Sequence, residues 1–116
     1  SKQGKEFVDY LVDLMRSIGP VTTKRMFGGH GFFLNGLMFG LVADSTLYFK
    51  AGKELERELK ARGSAPYTYQ KKGKAFKMSY YQAPEETLED SEDMELWAGK
   101  AYTAAVLAAE KNPKKK

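Results

Sequence analysis

The spacing of apolar residues along the chain separates helical from extended segments. Near the N-terminus they recur every three or four positions, as on one face of a helix: Phe7, Leu11, Leu14, Met15 and Ile18. This spacing predicts a first helix at about residues 4–18. Gly19-Pro20 ends it, because glycine suits the position after a helix and proline cannot continue one.

Two-residue turns divide the next part of the chain into three short apolar runs. Asn35-Gly36 is the pair that favours a type I′ β-hairpin, because both residues tolerate positive φ. Asp44-Ser45 predicts the next tight turn. We therefore expect strands at about residues 29–35, 37–43 and 46–51. The middle run is nearly all apolar, which indicates a central strand covered on much of both faces.

The second half of the chain predicts a helix, a hairpin and a long helix. Residues 53–62 form a short charged helix with Leu55 and Leu59 facing inward. Two strands at about residues 67–71 and 75–81 flank a turn around Lys72-Gly73-Lys74. By alternation, two sets face opposite ways: Phe76, Met78 and Tyr80 on one side, Lys77, Ser79 and Tyr81 on the other.

The final helix begins near Asp90 or Ser91, since either side chain can cap its first turn. Its predicted inward stripe is Met94, Trp97, Ala98, Ala101, Ala105 and Ala108. We expect a further set of large apolar residues to be core, namely Met26, Phe27, Phe32, Met38, Phe39, Phe76 and Met78.

These elements give the order α-β-β-β-α-β-β-α. An antiparallel sheet with helices over one face accommodates this order, so the predicted fold class is a two-layer α+β arrangement. We expect one domain over residues 1–111 and a disordered basic tail at residues 112–116.

Four ordered blocks of sequence resemble the TfoX N-terminal domain family. They are Arg25-Met26-Phe27-Gly28-Gly29, Asn35 to Val42, Leu47-Tyr48-Phe49-Lys50, and Met78 to Tyr81 followed by Pro84. Trp97-Ala98 with Ala101 is similar to the family's final helix. The resemblance implies a fold similar to that of type III secretion chaperones and a link to the regulation of bacterial DNA uptake. Full-length competence regulators of this kind continue into a helical C-terminal domain, and we expect this chain to be a stand-alone version without it.

Charge is unevenly distributed along the 116 residues, whose formal net charge is +4. Residues 16–84 carry twelve basic and four acidic side chains, whereas residues 85–95 carry seven acidic and no basic ones. Such segregation indicates a surface that attracts a polyanion. In the alternative interpretation, the two blocks face each other or solvent.

The sequence shows no recognisable catalytic, cofactor or metal site. There is no cysteine, and His30 is the single histidine. Gly28-Gly29-His30-Gly31 precedes a predicted strand instead of linking a strand to a helix, so it is not a dinucleotide motif. We therefore expect no enzymatic activity, no cofactor and no turnover that depends on His30. No apolar run approaches the roughly 20 residues of a membrane span and no secretory leader is visible, so we expect a cytoplasmic protein.

Two function hypotheses remain open. The first is a regulatory module that contacts a transcription factor, or binds DNA weakly and without sequence preference. Basic residues interleaved with tyrosines support it, because cations bind phosphates and rings stack on bases. The second is a chaperone-like or structural domain that binds a protein partner, including a second copy of the chain. The candidate contact residues are Lys24, Arg25, Lys50, Lys71, Lys72, Lys74, Lys77, Tyr48 and Tyr81.

Overall fold

A computed structural model describes the backbone of residues 2–26 and 28–111, and the side chains of these except 2–3, 70–71 and 75–78. The predicted basic tail at 112–116 lies outside this range. The helices are α1 (Lys2–Leu14), α2 (Lys53–Ala61) and α3 (Ser91–Lys111). The strands are β1 (Thr22–Met26), β2 (Gly29–Leu34), β3 (Leu37–Ala43), β4 (Thr46–Lys50), β5 (Pro66–Lys71) and β6 (Lys74–Gln82). Two 3₁₀ turns, Arg16–Ile18 and Glu85–Leu88, follow α1 and precede α3.

The six strands form one antiparallel sheet in the order β1-β2-β3-β4-β6-β5. This confirms the predicted α+β class, and β3 is an inner strand as its apolar sequence indicates. The predicted order lacks β1, whose sequence Thr-Thr-Lys-Arg-Met shows no apolar alternation. An edge strand that is mostly exposed has little to bury, so hydrophobic periodicity does not reveal it.

A β-bulge in β3 changes which side chains of that strand face the helices. Phe33 pairs with Met38 but Phe32 pairs with Gly40, so Phe39 is an extra residue on β3. Phe39, at the bulge, packs in the main core. After the bulge, Val42 also packs in the main core while Leu41 faces the other side. The bulge therefore breaks the simple alternation and supplies apolar side chains to both faces of the sheet.

One face of the sheet is covered by all three helices. The main core combines Leu11 of α1, Leu59 of α2 and Ala101 of α3 with strand residues that include Phe32 and Phe49, each fully buried. Five of the six predicted inward residues of α3 are buried and Ala108 is partly buried; the five are Met94, Trp97, Ala98, Ala101 and Ala105. The helical layer thus encloses its apolar surface against a single face of the sheet.

The opposite face, which we call the open face, carries a second and smaller apolar cluster built only from strand residues. Leu41, Tyr67 and Tyr80 are buried at its centre, and partly buried residues pack around them, namely Met38, Ala43, Tyr48 and Tyr69. Met26, Phe33 and Met38 converge over Gly31 at its other end. The prediction that Met26 and Met38 belong to the main core is therefore wrong. The predicted core residues Phe27, Phe76 and Met78 have side chains outside the described part of the chain.

Three hairpins are closed by two-residue turns with positive φ at both positions. Asn35 and Gly36 have φ of 52° and 79°, which confirms the predicted type I′ turn. Asp44 and Ser45 have φ of 55° and 56°, and Lys72 and Gly73 have φ of 53° and 76°. These short turns fix the strand register and hence which side chains reach the open face.

Candidate functional site

Aromatic rings of the open face form a connected group on β4, β5 and β6. The Tyr48 and Tyr67 ring centroids are 5.1 Å apart with the rings tilted by 60°. The Tyr80 hydroxyl donates to the carbonyl oxygen of Met38 at 3.4 Å. Burial raises the pKa of Tyr67, helped by Tyr69 and Tyr48, and burial also raises the pKa of Tyr80. Both phenols therefore stay neutral at physiological pH, and this face gains no negative charge from them.

Two lysines lie over these rings. The Nζ of Lys24 is 5.4 Å from the ring centroid of Phe33, and the Nζ of Lys50 is 5.6 Å from that of Tyr80. At these distances each ammonium is attracted to the ring face while remaining accessible to a ligand. Both lysines thus belong to the open face, together with Tyr48.

Lys72 and Lys74 are exposed at the turn between β5 and β6. Lys50 pairs with Tyr80, six residues along β6 from Lys74, which corresponds to roughly 20 Å of extended chain. The basic residues are therefore spread along the sheet and do not converge at one point. The side chains of Lys71 and Lys77 lie outside the described residues, although β5 and β6 include their backbones.

The open-face lysines Lys24 and Lys50, and the exposed turn lysines Lys72 and Lys74, join no ion pair in the part of the chain that the structure describes. The strands themselves, within the bounds given above, contain six basic residues and no acidic one. All charged residues of the six strands are therefore basic, and Asp44 lies outside the strands, in the turn after β3.

Fourteen of the fifteen acidic residues lie in the helices, in the second 3₁₀ turn or in the two residues between that turn and α3. The acidic run at 85–95 packs on the helical side: Leu88 contacts the main core, and Glu86 accepts from Arg62 at 2.5 Å. Asp90 caps α3 by accepting from the backbone N–H of Glu92 at 3.0 Å. This run is held on the layer opposite the open face.

Among the predicted contact residues whose side chains the structure describes, two do not belong to the open face. Tyr81 is only 1% exposed, packs in the main core and donates its hydroxyl hydrogen to the Glu56 carboxylate. Alternation separates Tyr80 from Tyr81 as predicted, but Tyr81 is the one that faces the helices, so its assignment to a contact surface is wrong. Because Tyr80 and Tyr81 are both tyrosines, their sequence does not indicate which of the two faces the helices.

Arg25 does not lie on the open face either, because it is adjacent to Lys24 on β1 and successive residues of a strand point to opposite sides of the sheet. It lines a cleft on the helical side together with His30 and Asp44. Sequence reasoning missed this grouping, since the pairing of Arg25 with His30 depends on the unpredicted strand β1.

The described residues contain no cluster of three or more His, Cys, Asp or Glu side chains that could hold a metal ion. None of the described helices combines the length and apolarity needed to cross a membrane.

These features define a two-layer α+β domain that carries most of its acidic residues in the helical layer and a basic, ring-bearing face on the opposite side of the sheet. The chain belongs to the TfoX N-terminal domain family, whose model matches residues 13–105. It is 29% identical over 73 residues to the DNA transformation protein TfoX1 of Aliivibrio fischeri (strain ATCC 700601 / ES114). That match covers 63% of this chain and 35% of the relative, so the chain matches only about a third of that protein's length.

Proposed function

We propose that this domain is a non-enzymatic regulatory module whose open face contacts the phosphates of nucleic acid weakly and without strong sequence preference. The observation that carries this proposal is the absence of acidic residues from the six strands, combined with open-face lysines that join no ion pair among the described residues. Electrostatic attraction of this kind supplies most of non-specific nucleic-acid binding.

The rings of the open face support the same function. Lys24 and Lys50 lie against aromatic rings, so a phosphate held by either ammonium places its base near an apolar surface on which it can pack. The position of the acidic run also supports the proposal, because its carboxylates are held on the helical side and do not screen Lys50.

The family relationship gives further support at a coarser level. The similar protein carries the name of a DNA transformation protein, which links that protein to a process that involves DNA. We extend this to a role for the present domain in transcription or competence regulation, either by its own DNA contact or by contact with a transcription factor.

A salt titration of binding to mixed-sequence duplex DNA tests the proposal, with fluorescence anisotropy as the readout. We expect a Kd of roughly 10⁻⁴ to 10⁻⁶ M at physiological salt and a steep loss of affinity as salt rises. Replacing Lys24, Lys50, Lys72 and Lys74 with glutamine should weaken binding and reduce the salt slope by about 0.9 for each phosphate that the protein no longer neutralises.

The matched control replaces Lys53 and Arg57 with glutamine, because both are exposed on α2 in the opposite layer. This control should bind DNA like the unmodified protein. Equal losses per charge removed, four charges in the first variant and two in the control, would show that net charge alone drives binding. Absence of binding even at low salt would reject the DNA role of the open face.

A second candidate function is protein binding through the helical layer. Leu96 and Leu107 of α3 are each 53% exposed, and their separation of eleven residues places them on the same side of the helix. A pull-down from cell extract after nuclease treatment tests this alternative. Capture that disappears when both leucines are replaced with serine would favour it, whereas capture that depends on nucleic acid would favour the open face.

A further inference from the structure

The strand ends opposite the β2–β3 turn border a cleft of about 530 Å³ beside the start of α1. Arg25, His30 and the Asp44-Ser45 turn contribute polar groups to its wall, and Phe7 contributes an apolar one. Gly4 and Phe7 of α1 and Val42 of the main core also line the cleft, which places it on the helical side of the sheet. Of the open-face residues named above, only Met26, at the end of β1, borders it.

Two nitrogen-bearing side chains stand next to each other in this wall. Arg25 and His30 are direct partners across the β1–β2 pair, and such partners have Cβ atoms about 4.5–5.5 Å apart. The ion pairs among the described residues include neither side chain. A guanidinium beside an imidazole brings several N–H donors to the same wall of the cleft.

Planar guanidinium groups bind carboxylates and phosphates through paired hydrogen bonds, and an adjacent imidazole can add a third donor. Gly28 and Gly29 line the cleft beside them, so backbone atoms are accessible there without an intervening side chain. From this arrangement we propose that the cleft binds a small anion of the carboxylate or phosphate class, with Arg25 as the principal ligand and His30 as the second.

Asp44 lies in the same wall, and its negative charge opposes an anion. Removing that charge should therefore tighten anion binding if the site is electrostatic. This gives a gain-of-affinity test that a variant with impaired folding cannot imitate.

The test follows the backbone amide signals of ¹⁵N-labelled protein during titration with inorganic phosphate and, separately, with citrate. We expect saturable shifts at Gly28, Gly29 and His30. Arg25→Gln should weaken binding by about tenfold or more, the loss expected for a charged, paired hydrogen bond. His30→Gln should weaken it less, and Asp44→Asn should strengthen it by about twofold or more.

Lys24→Gln is the matched control, because Lys24 is the neighbour of Arg25 on the same strand but faces the other side. It should leave the binding of both probes unchanged while it weakens DNA binding, and Arg25→Gln should do the reverse. The two proposals can therefore fail independently. Shifts that map to Lys50 and Lys72 instead of the cleft, no saturable shift with either probe, or equal effects of Lys24→Gln and Arg25→Gln would overturn the proposal. A saturable response to only one probe would support it and assign the ligand to that chemical class.

Discussion

Replacing Tyr81 with phenylalanine tests the correction that places this residue in the main core. The substitution keeps the ring but removes the hydroxyl that donates to the Glu56 carboxylate at 2.5 Å. Hydrogen bonds to charged groups contribute about 1.5–3 kcal/mol. The Glu56 side chain is 36% exposed and lies 3.8 Å from Lys60, so the released carboxylate can regain water and keep one cationic neighbour. We therefore expect a loss near the lower end of that range, about 1–2 kcal/mol.

The matched control is Tyr80→Phe, which changes the adjacent residue on the opposite face of the same strand. The Tyr80 hydroxyl makes only a long bond of 3.4 Å to a backbone carbonyl, so we expect its removal to cost less than about 1 kcal/mol. Urea denaturation at pH 7 measures both values. Equal losses in the two variants, or a larger loss for Tyr80→Phe, would refute the assignment of Tyr81 to the charged hydrogen bond.

The same pair predicts the behaviour of the protein in alkali. The hydrogen bond to Glu56 raises the pKa of Tyr81, and burial raises the pKa of Tyr80. Above about pH 10 the unfolded chain loses these two protons while the folded chain keeps them. The contribution of the two tyrosines to the free energy of unfolding is therefore fully present below about pH 10 and declines as the pH rises. Each substitution should make this decline shallower, by up to about 1.4 kcal/mol per pH unit. Denaturation curves at about pH 9.5, 10.5 and 11 would detect the difference, and slopes identical to that of the unmodified protein would contradict the pKa shifts.

Two further predictions concern backbone conformation. Gly36→Val should lower the free energy of unfolding by more than about 1 kcal/mol, because a β-branched residue is strained at a φ of 79°. Ser45→Gly should raise it by up to about 1 kcal/mol, because it relieves a φ of 56° in a non-glycine residue. Thermal melts of the two variants should shift in opposite directions, and shifts of the same sign would argue against the strain. Gly99→Ala in the middle of α3 should stabilise the fold by about 0.5–1 kcal/mol. Apart from the neighbouring backbone of α3 itself, no atom of the described residues lies within 4 Å of the added Cβ. A lower melting temperature for Gly99→Ala would mean that the helix needs this glycine for packing.

The features that sequence reasoning predicted are those fixed by local chemistry. Asn35-Gly36 can satisfy a type I′ turn with little strain, and the spacing of Leu55 and Leu59 fixes the inward face of α2, so short segments were enough to predict both. The start of the last helix was predicted to within a residue because Asp90 can cap it. These properties depend on a few adjacent residues and not on the rest of the fold.

The features that sequence reasoning missed depend on partners far along the chain. β1 has no apolar periodicity, and only its pairing with β2 shows that Lys24 and Arg25 face opposite sides. The face of Tyr81 depends on the pairing of β6 with β4, which brings Phe49 opposite it. The candidate site therefore divided in two: Lys24, Lys50 and Tyr48 remain together on the open face, while Arg25 belongs to a cleft that periodicity could not indicate.

The separation of charge between the two layers gives the described part of the chain an electric dipole directed from its helices towards its sheet. A dipole turns in the field of a nearby polyanion before any contact forms, so the protein approaches with its sheet leading and its helices trailing. Orientation during diffusion then requires no specific recognition, and the productive fraction of encounters falls as added salt shortens the range of the field. The same alignment leaves the outer side of α3, with Leu96 and Leu107, directed away from the polyanion and accessible to a second molecule.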